Sequence, residues 1–332
     1  MRLDMPAEGE SALIERIARR VGQASVPDAF RLVLGIGDDT AALQIGEQTL
    51  LWTADMLLEG VHFRLDWIDP ASLGWKSLAV NLSDIAATGG TPVGALLSLA
   101  LPAECTGAWL DAFVDGLAEC ARAYGVALLG GDTNRAEQVV IDVSLLGVMA
   151  GRPMPRSGAR PGDWLLVTGA LGGSRAGLHA LMVGEASAID LTPHFRPIPR
   201  LQVGARARGL GATAMMDLSD GLAADLPKLL RASGVGAVVY AAQVPVHPAA
   251  AHWAHAHGLD PVAFAIAGGE DYELLIAAPP SAAQQMLECI PAKTGVSLTH
   301  IGEVIAAQEV WLQRADSRRE SFAIGGWDHF RA

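Results

Sequence analysis

The residues in this chain most able to do chemistry are its aspartates, and their neighbours say what kind. Carboxylates recur at the edges of apolar, strand-like runs, beside Gly, Ser or Thr. Asp38 and Asp39 lie in GIGDDTAAL, Thr53 and Asp55 in LLWTADML, and Asn81, Ser83 and Asp84 in AVNLSDIAATGG. Asp132 and Thr133 lie in LLGGDTNR, Asp217, Ser219 and Asp220 in MMDLSDGL, and Glu270 and Asp271 in AGGEDYELL. One such aspartate simply caps a helix or closes a turn. Repetition against apolar cores asks for more, because a desolvated carboxylate without a counter-charge is costly. Divalent cations supply that charge, and Mg2+ takes hard oxygen ligands shared between a few carboxylates and bound phosphates. Gly35, Gly37, Gly130 and Gly131 allow backbone to approach a phosphate closely. The pattern predicts a site for a metal-bound polyphosphate, and Asp225 beside it reads as a helix-surface residue.

Standard nucleotide motifs do not account for such a site. No Gly-Lys-Ser/Thr occurs, which excludes a P-loop, and no GxGxxG follows a strand. Kinase-type HRD and DFG signatures are also absent.

The elements that must position these groups are legible in outline. SALIERIARRV sets Leu13, Ile14, Ile17, Ala18 and Val21 on one face of a surface helix. Strand-like runs at FRLVLGI, QTLLWTAD, GALLSLAL and VVIDVSLLGVM alternate with helical stretches at SLGWKSLAVNLSDIAA and AWLDAFVDGLAECARAYG. GRPMPRSGARPGD then gathers Pro, Gly and Arg as at a domain junction, and WLLVTGA opens a second mixed half. Helix LAADLPKLLRASG and strands GAVVYAA and DYELLIAA follow, with no short-period repeat. The fold class expected is α/β (α+β) in two domains, residues 1–150 and 151–332.

Composition sets the limits. The chain has 332 residues, 51% of them hydrophobic, a formal net charge of -12 and only three lysines, Lys76, Lys228 and Lys293. This argues against a nucleic-acid or anionic-membrane surface, which needs a cationic footprint. Cys105, Cys120 and Cys289 are widely spaced and unpaired in pattern, as expected of a reducing cytoplasm. The N-terminus has no signal-like apolar region, and no apolar stretch reaches membrane-spanning length.

GIGDDTA, VNLSDIAATGGTP, LLGGDTNR, RSGARPGD, MDLSDGLAADL and GGEDYELL, in this order, resemble the motifs of the thiamine-monophosphate kinase family, within the superfamily that includes aminoimidazole ribonucleotide synthetase. The resemblance runs from about Gly35 to the closing GWDHF. It implies ATP- and Mg2+-dependent transfer of the γ-phosphoryl group to thiamine monophosphate, and a homodimer whose N-terminal domains pair through their sheets. It implies several Mg2+ ions on Asp39, Thr53, Asp55, Asp84, Asp132, Asp217 and Asp220. Nucleotide contacts fall by the same resemblance on Gly131, Asp132, Arg156 and Ser219, and the thiamine end on His62, Glu270 and Trp327. Ala54 departs from the family, standing where many relatives carry a hydroxyl residue.

A dianionic phosphate monoester as acceptor needs no general base, in keeping with a site rich in Asp and poor in His. Arg156 suits bidentate phosphate contact, while Trp327 with Glu270 suits a cationic aromatic ring. TGALGGSRAGL follows a strand and opens a helix, which leaves a phosphate-loop role open. His252, His255 and His257 have spacings a metal could use but read as a solvated helix face.

Overall fold

A computed structural model describes residues 9–22, 25–322 and 325. Its N-terminal half is one six-stranded sheet in the order β1-β2-β3-β6-β4-β5. The strands are β1 (Arg31–Leu34), β2 (Ala41–Ile45), β3 (Gln48–Leu58), β4 (Thr91–Leu101), β5 (Ala127–Arg135) and β6 (Val140–Ala150). Helix α1 (Glu10–Val21) precedes the sheet, and α2 (Pro70–Thr88) and α3 (Ala108–Tyr124) lie within it in sequence. Strand β3 alternates in the period-2 manner of a sheet with two unlike faces. Leu51, Thr53 and Leu57 are buried, while Trp52, Ala54 and Met56 are exposed. The inner face packs on α2 and α3, which cross closely because Gly116 has no side chain; a Cβ there would sit 1.8 Å from the Ala71 carbonyl oxygen.

Helix α2 is the structural centre. Asp69 caps it by accepting from the Ser72 N–H at 2.9 Å, Pro70 opens it, and Gly89 ends it in the left-handed conformation. Nearly every residue between is buried, because α2 packs on the first sheet and its Ala86 and Ala87 enter the core of the second half. That environment accounts for an apolar stretch without amphipathic contrast.

The second half holds β7 (Trp164–Thr168), α4 (Gly173–Val183), α5 (Thr192–Phe195), α6 (Leu201–Gly209), β8 (Ala214–Asp217), α7 (Leu222–Ser233) and β9 (Gly236–Tyr240). It continues with α8 (Pro248–Ala256), α9 (Pro261–Ile266), β10 (Leu274–Ala278), α10 (Pro280–Thr294), β11 (Leu298–Ile305), β12 (Val310–Gln313) and β13 (Arg319–Ser321). The seven-stranded sheet runs β13-β12-β9-β11-β7-β10-β8. Leu165, Val167, Met216 and Leu275 face one apolar layer with α7, and Leu166, Met215, Leu274 and Ile276 face another with α10. Both faces are covered, so these strands read as continuous apolar runs.

The expected mixed α/β class is therefore present, built on two sheets. One local reading differs: LLGGDTNR, taken as the edge of a strand, lies wholly inside β5, an outer strand paired in parallel to β4 with all nine residues exposed. Among the described residues no helix is long and apolar enough to cross a membrane.

Candidate active site

Three carboxylates converge where the two sheets meet α2. Asp39 precedes β2, Asp84 lies on α2 and Asp217 ends β8, and one oxygen of each lies within 4.8 Å of the others. Each is held by a neighbour from another element. Ser83 Oγ donates to Asp217 Oδ2 at 2.7 Å, Thr53 Oγ1 donates to Asp84 Oδ2, and Arg156 Nε and Nη2 donate to Asp39 Oδ1 at 3.0 and 2.6 Å. Asp38 accepts from the Arg156 backbone N–H at 3.0 Å, which fixes the junction segment against the cluster.

The electrostatics are those of crowded anions. Burial, then Asp55 and Asp217, push the Asp84 carboxyl well above the usual range; burial and Asp39 do the same to Asp217. Burial and Asp142 push Asp55 up to about 6, and Asp38 is likewise raised by burial to about 6. Asp39 Oδ2 is buried with no hydrogen-bond partner among the described residues. A set of hard oxygen donors with mutual repulsion and an orphaned buried oxygen fits a hard divalent cation. Arg156 neutralises only part of that charge.

The loop after β8 is braced from below. Lys228 Nζ lies 2.6 Å from Asp220 Oδ2 and 2.8 Å from Asp225 Oδ1, and Asp225 Oδ2 accepts from the Asp220 N–H at 2.9 Å. Asp225 is fully buried, not a helix-surface residue as its position suggested, and it fixes the conformation that presents Asp220. Ser219 gives its carbonyl to the Glu270 N–H at 2.7 Å, joining this loop to the one before β10.

Gly131 and Asp132 lie elsewhere in the chain's fold. In register, Asp132 on β5 pairs with Ser98, Ser98 with Asp142, and Asp142 with Met56. Paired residues share a face of a sheet, and Met56 belongs to the exposed face, so Asp132 is not brought into the Asp39–Asp84–Asp217 group. Its carboxylate accepts from Asn134 Nδ2 at 2.7 Å. Gly131 is required by close approach, since a Cβ there would meet the Leu97 carbonyl oxygen at 1.7 Å.

His62 lines a crevice with Phe63, Trp67, Lys76, His194 and Phe195. Glu270 joins Lys76 and His194 at 2.8 and 3.2 Å. Burial would raise the Glu270 carboxyl, but Lys76 and then His194 hold it well below the ordinary range. Trp327 lies outside the described residues. The glycine-rich turn before α4 is filled by the protein's own carboxyl group: Asp271 accepts from the Gly172 and Ser174 N–H groups at 2.7 and 3.3 Å, and burial pushes its pKa up to about 8. His252, His255 and His257 form no ligand cluster among the described residues, and His257 stacks on Trp253.

Sequence reasoning missed Lys76, His194, Lys228 and the buried role of Asp225. Lys76 left a signal, as a lone cation inside an apolar helical run. His194 left none, because its partners come from distant segments.

Comparison with known proteins extends the picture. A family model described as AIR synthase related protein, N-terminal domain, matches residues 37–149, and the corresponding C-terminal domain model matches residues 160–313. Thiamine-monophosphate kinase of Escherichia coli (strain K12) is 40% identical over 330 residues, covering 97% of this chain and 98% of the relative. A solved structure described as AaThiL complexed with AMPPCP and TMP aligns with TM-score 0.84 at 33% identity, covering 99% of each chain. Thiamine-monophosphate kinase from Stenotrophomonas maltophilia K279a aligns at TM-score 0.75 and 35% identity, over 94% of this chain and 98% of that one.

Proposed function

The chain belongs to the thiamine-monophosphate kinase family of AIR synthase-related proteins, and from that premise we propose how its residues carry ATP-dependent phosphorylation of thiamine monophosphate. It is an ATP-dependent kinase. The observation that carries the reading of the site is the convergence of Asp39, Asp84 and Asp217, with a buried oxygen of Asp39 left unpaired among the described residues.

Mg2+, held by Asp39, Asp55, Asp84, Asp217 and Asp220 with Thr53 beside them, would supply charge neutralisation between two polyanions and electrostatic stabilisation of the transferring group. The protein's own work is positional. Thr53 and Ser83 orient Asp84 and Asp217 by hydrogen bonds, as ligand carboxylates are usually oriented. Arg156, already a donor to Asp39, is placed to share its guanidinium with a nucleotide phosphate, and Ser219 stands on the loop between Asp217 and Asp220. No side chain is needed as general base, because the acceptor oxygen belongs to a phosphate that is largely dianionic at neutral pH. His62 and Glu270 border the acceptor, and Trp327 is assigned to its thiamine end by the family resemblance alone.

In this reading residues 1–150 bind ATP and metal and make the dimer, and residues 151–332 complete the site. The dimer is a homodimer joined by the exposed sheet face that carries Trp52, Met56 and Leu96. Gly131 and Asp132 lie on the strand at that sheet's rim, so Asp132 reaches the metal and the nucleotide of the partner protomer. Free, buried Cys105 and Cys120 suit a cytoplasmic protein.

The test is ADP release by the purified protein with ATP and Mg2+, offering thiamine monophosphate, thiamine or an aminoimidazole precursor in turn and identifying products by chromatography. Thiamine diphosphate formed only from the monophosphate, by a protein that sediments as a dimer, is the expected result. Turnover with the aminoimidazole precursor alone overturns it.

A further inference from the structure

We propose that Lys76 and His194 are positioning residues for the acceptor: they fix the Glu270 carboxylate beside the crevice that His62 lines and cancel its charge, so that Glu270 meets the substrate as a hydrogen-bond acceptor for an N–H group rather than as counter-charge to a cationic ring. This rests on the acceptor-site reading above.

Lys76 is buried in α2, its side chain 1% exposed, with Nζ 2.8 Å from Glu270 Oε1, while Glu270 keeps 24% of its own side chain open. A buried ammonium is retained only with a compensating anion, and removing one partner of such a pair is far more costly than replacing both. His194 Nδ1 is within reach of both Glu270 Oε2 at 3.2 Å and Ser174 Oγ at 2.8 Å. Burial and the neighbouring Lys76 charge lower the His194 pKa, which leaves a neutral imidazole at pH 7. One ammonium, one carboxylate and one neutral ring sum to zero charge. A thiazolium therefore finds little net attraction at Glu270, whereas its unshared lone pairs can still take an amino proton of the pyrimidine.

The backbone is fixed as tightly as the side chain. Glu270 and Tyr272 both have positive φ, 62° and 51°, uncommon for residues with side chains. Their N–H groups donate to the Ser219 and Leu218 carbonyls at 2.7 and 3.0 Å. Glu270 is thus tied to the loop between Asp217 and Asp220 on one side and to α2 on the other. Acceptor recognition and the metal-binding loop share one scaffold.

The experiment is steady-state kinetics of the full chain with ATP and thiamine monophosphate varied separately, for Lys76→Met, His194→Gln, Glu270→Gln and the double variant Lys76→Met/Glu270→Gln. Turnover of thiamine monophosphate by the unaltered protein is read first, and its absence sinks the functional reading rather than this inference. Given turnover, each single variant raises the KM for thiamine monophosphate about tenfold or more, with the KM for ATP within about twofold. The double variant is no worse than Glu270→Gln alone, because neutralising both partners leaves no buried charge. An acceptor analogue with hydroxyl in place of the pyrimidine amino group loses affinity for the unaltered protein and little for Glu270→Gln. If Lys76→Met does not fold, the His194 and Glu270 variants and the analogue decide. Equal rises in both KM values, or unchanged KM values with a lowered Tm, overturn the proposal and leave the three residues as a clamp between the halves.

Discussion

Arg156 lays Nε and Nη2 on the same oxygen of Asp39, at 3.0 and 2.6 Å, and the other oxygen of that carboxylate stays buried without a hydrogen-bond partner among the described residues. One arginine stands against the group of Asp38, Asp39, Asp55, Asp84 and Asp217, and its guanidinium pairs with Asp39. A hard cation at that unpaired oxygen would offset the crowding that Arg156 offsets only in part.

Metal binding therefore shows as stability. Thermal unfolding with Mg2+ at about a hundred times its dissociation constant raises stability by about 2.7 kcal/mol for the unaltered protein. Asp217→Asn loses most of that gain. Equal Mg2+ stabilisation of both proteins refutes the assignment of Asp217.

The pH dependence has a definite sign. Asp55 titrates at about 6 in the folded chain, raised by burial and Asp142, against 3.8 ordinarily. The folded state then holds a proton that the unfolded state has released between about pH 4 and pH 6, and stability falls as pH rises through that window. In metal-free protein, Asp55→Asn is expected to match the unaltered chain near pH 3.5 and to exceed it by up to about 3 kcal/mol above pH 7. Urea unfolding at a series of pH values checks this, and parallel stability curves count against it.

Asp225 is the anchor of the loop after β8. Asp225→Ala leaves the Asp220 N–H without its acceptor and Lys228 with Asp220 as its remaining carboxylate partner, and costs about 1–3 kcal/mol in urea unfolding. Asp225→Asn keeps one acceptor oxygen and costs less. Because Asp220 loses its placement in both, Mg2+ affinity measured by calorimetry falls in both; retention of that affinity would separate Asp225 from the metal site.

Gly131→Ala forces a methyl group to within 1.7 Å of the Leu97 carbonyl oxygen unless β5 separates from β4. Loss of about 2–4 kcal/mol is expected, with hydrogen exchange rising first at β5. With Asp132 on that strand, activity drops more than stability. A variant that unfolds normally and turns over normally rules out the close approach.

Much of the site was readable before any fold was known. Asp39, Asp84 and Asp217 announced themselves by sitting at the ends of apolar runs with hydroxyl or glycine neighbours, and the pairs Thr53–Asp84 and Ser83–Asp217 are drawn from those same motifs. The strands of the second sheet were legible as apolar runs because both their faces are covered. LLGGDTNR was not legible as a strand, since an outer strand with every residue exposed has no burial pattern to display.

The chain alone determined the chemistry of the donors, hard oxygens with almost no nitrogen or sulfur, because ligand type is carried by residue identity. It also determined the two-part α/β plan, because hydrophobic period is local. Tertiary structure decided which carboxylates meet. Asp132 has the same neighbours in sequence as the others yet lies on the far face of its sheet, and Asp225 turned inward to hold Asp220. Lys76, His194 and Glu270 come from three separated segments, and only packing of α2 between the sheets puts one buried ammonium beside one carboxylate.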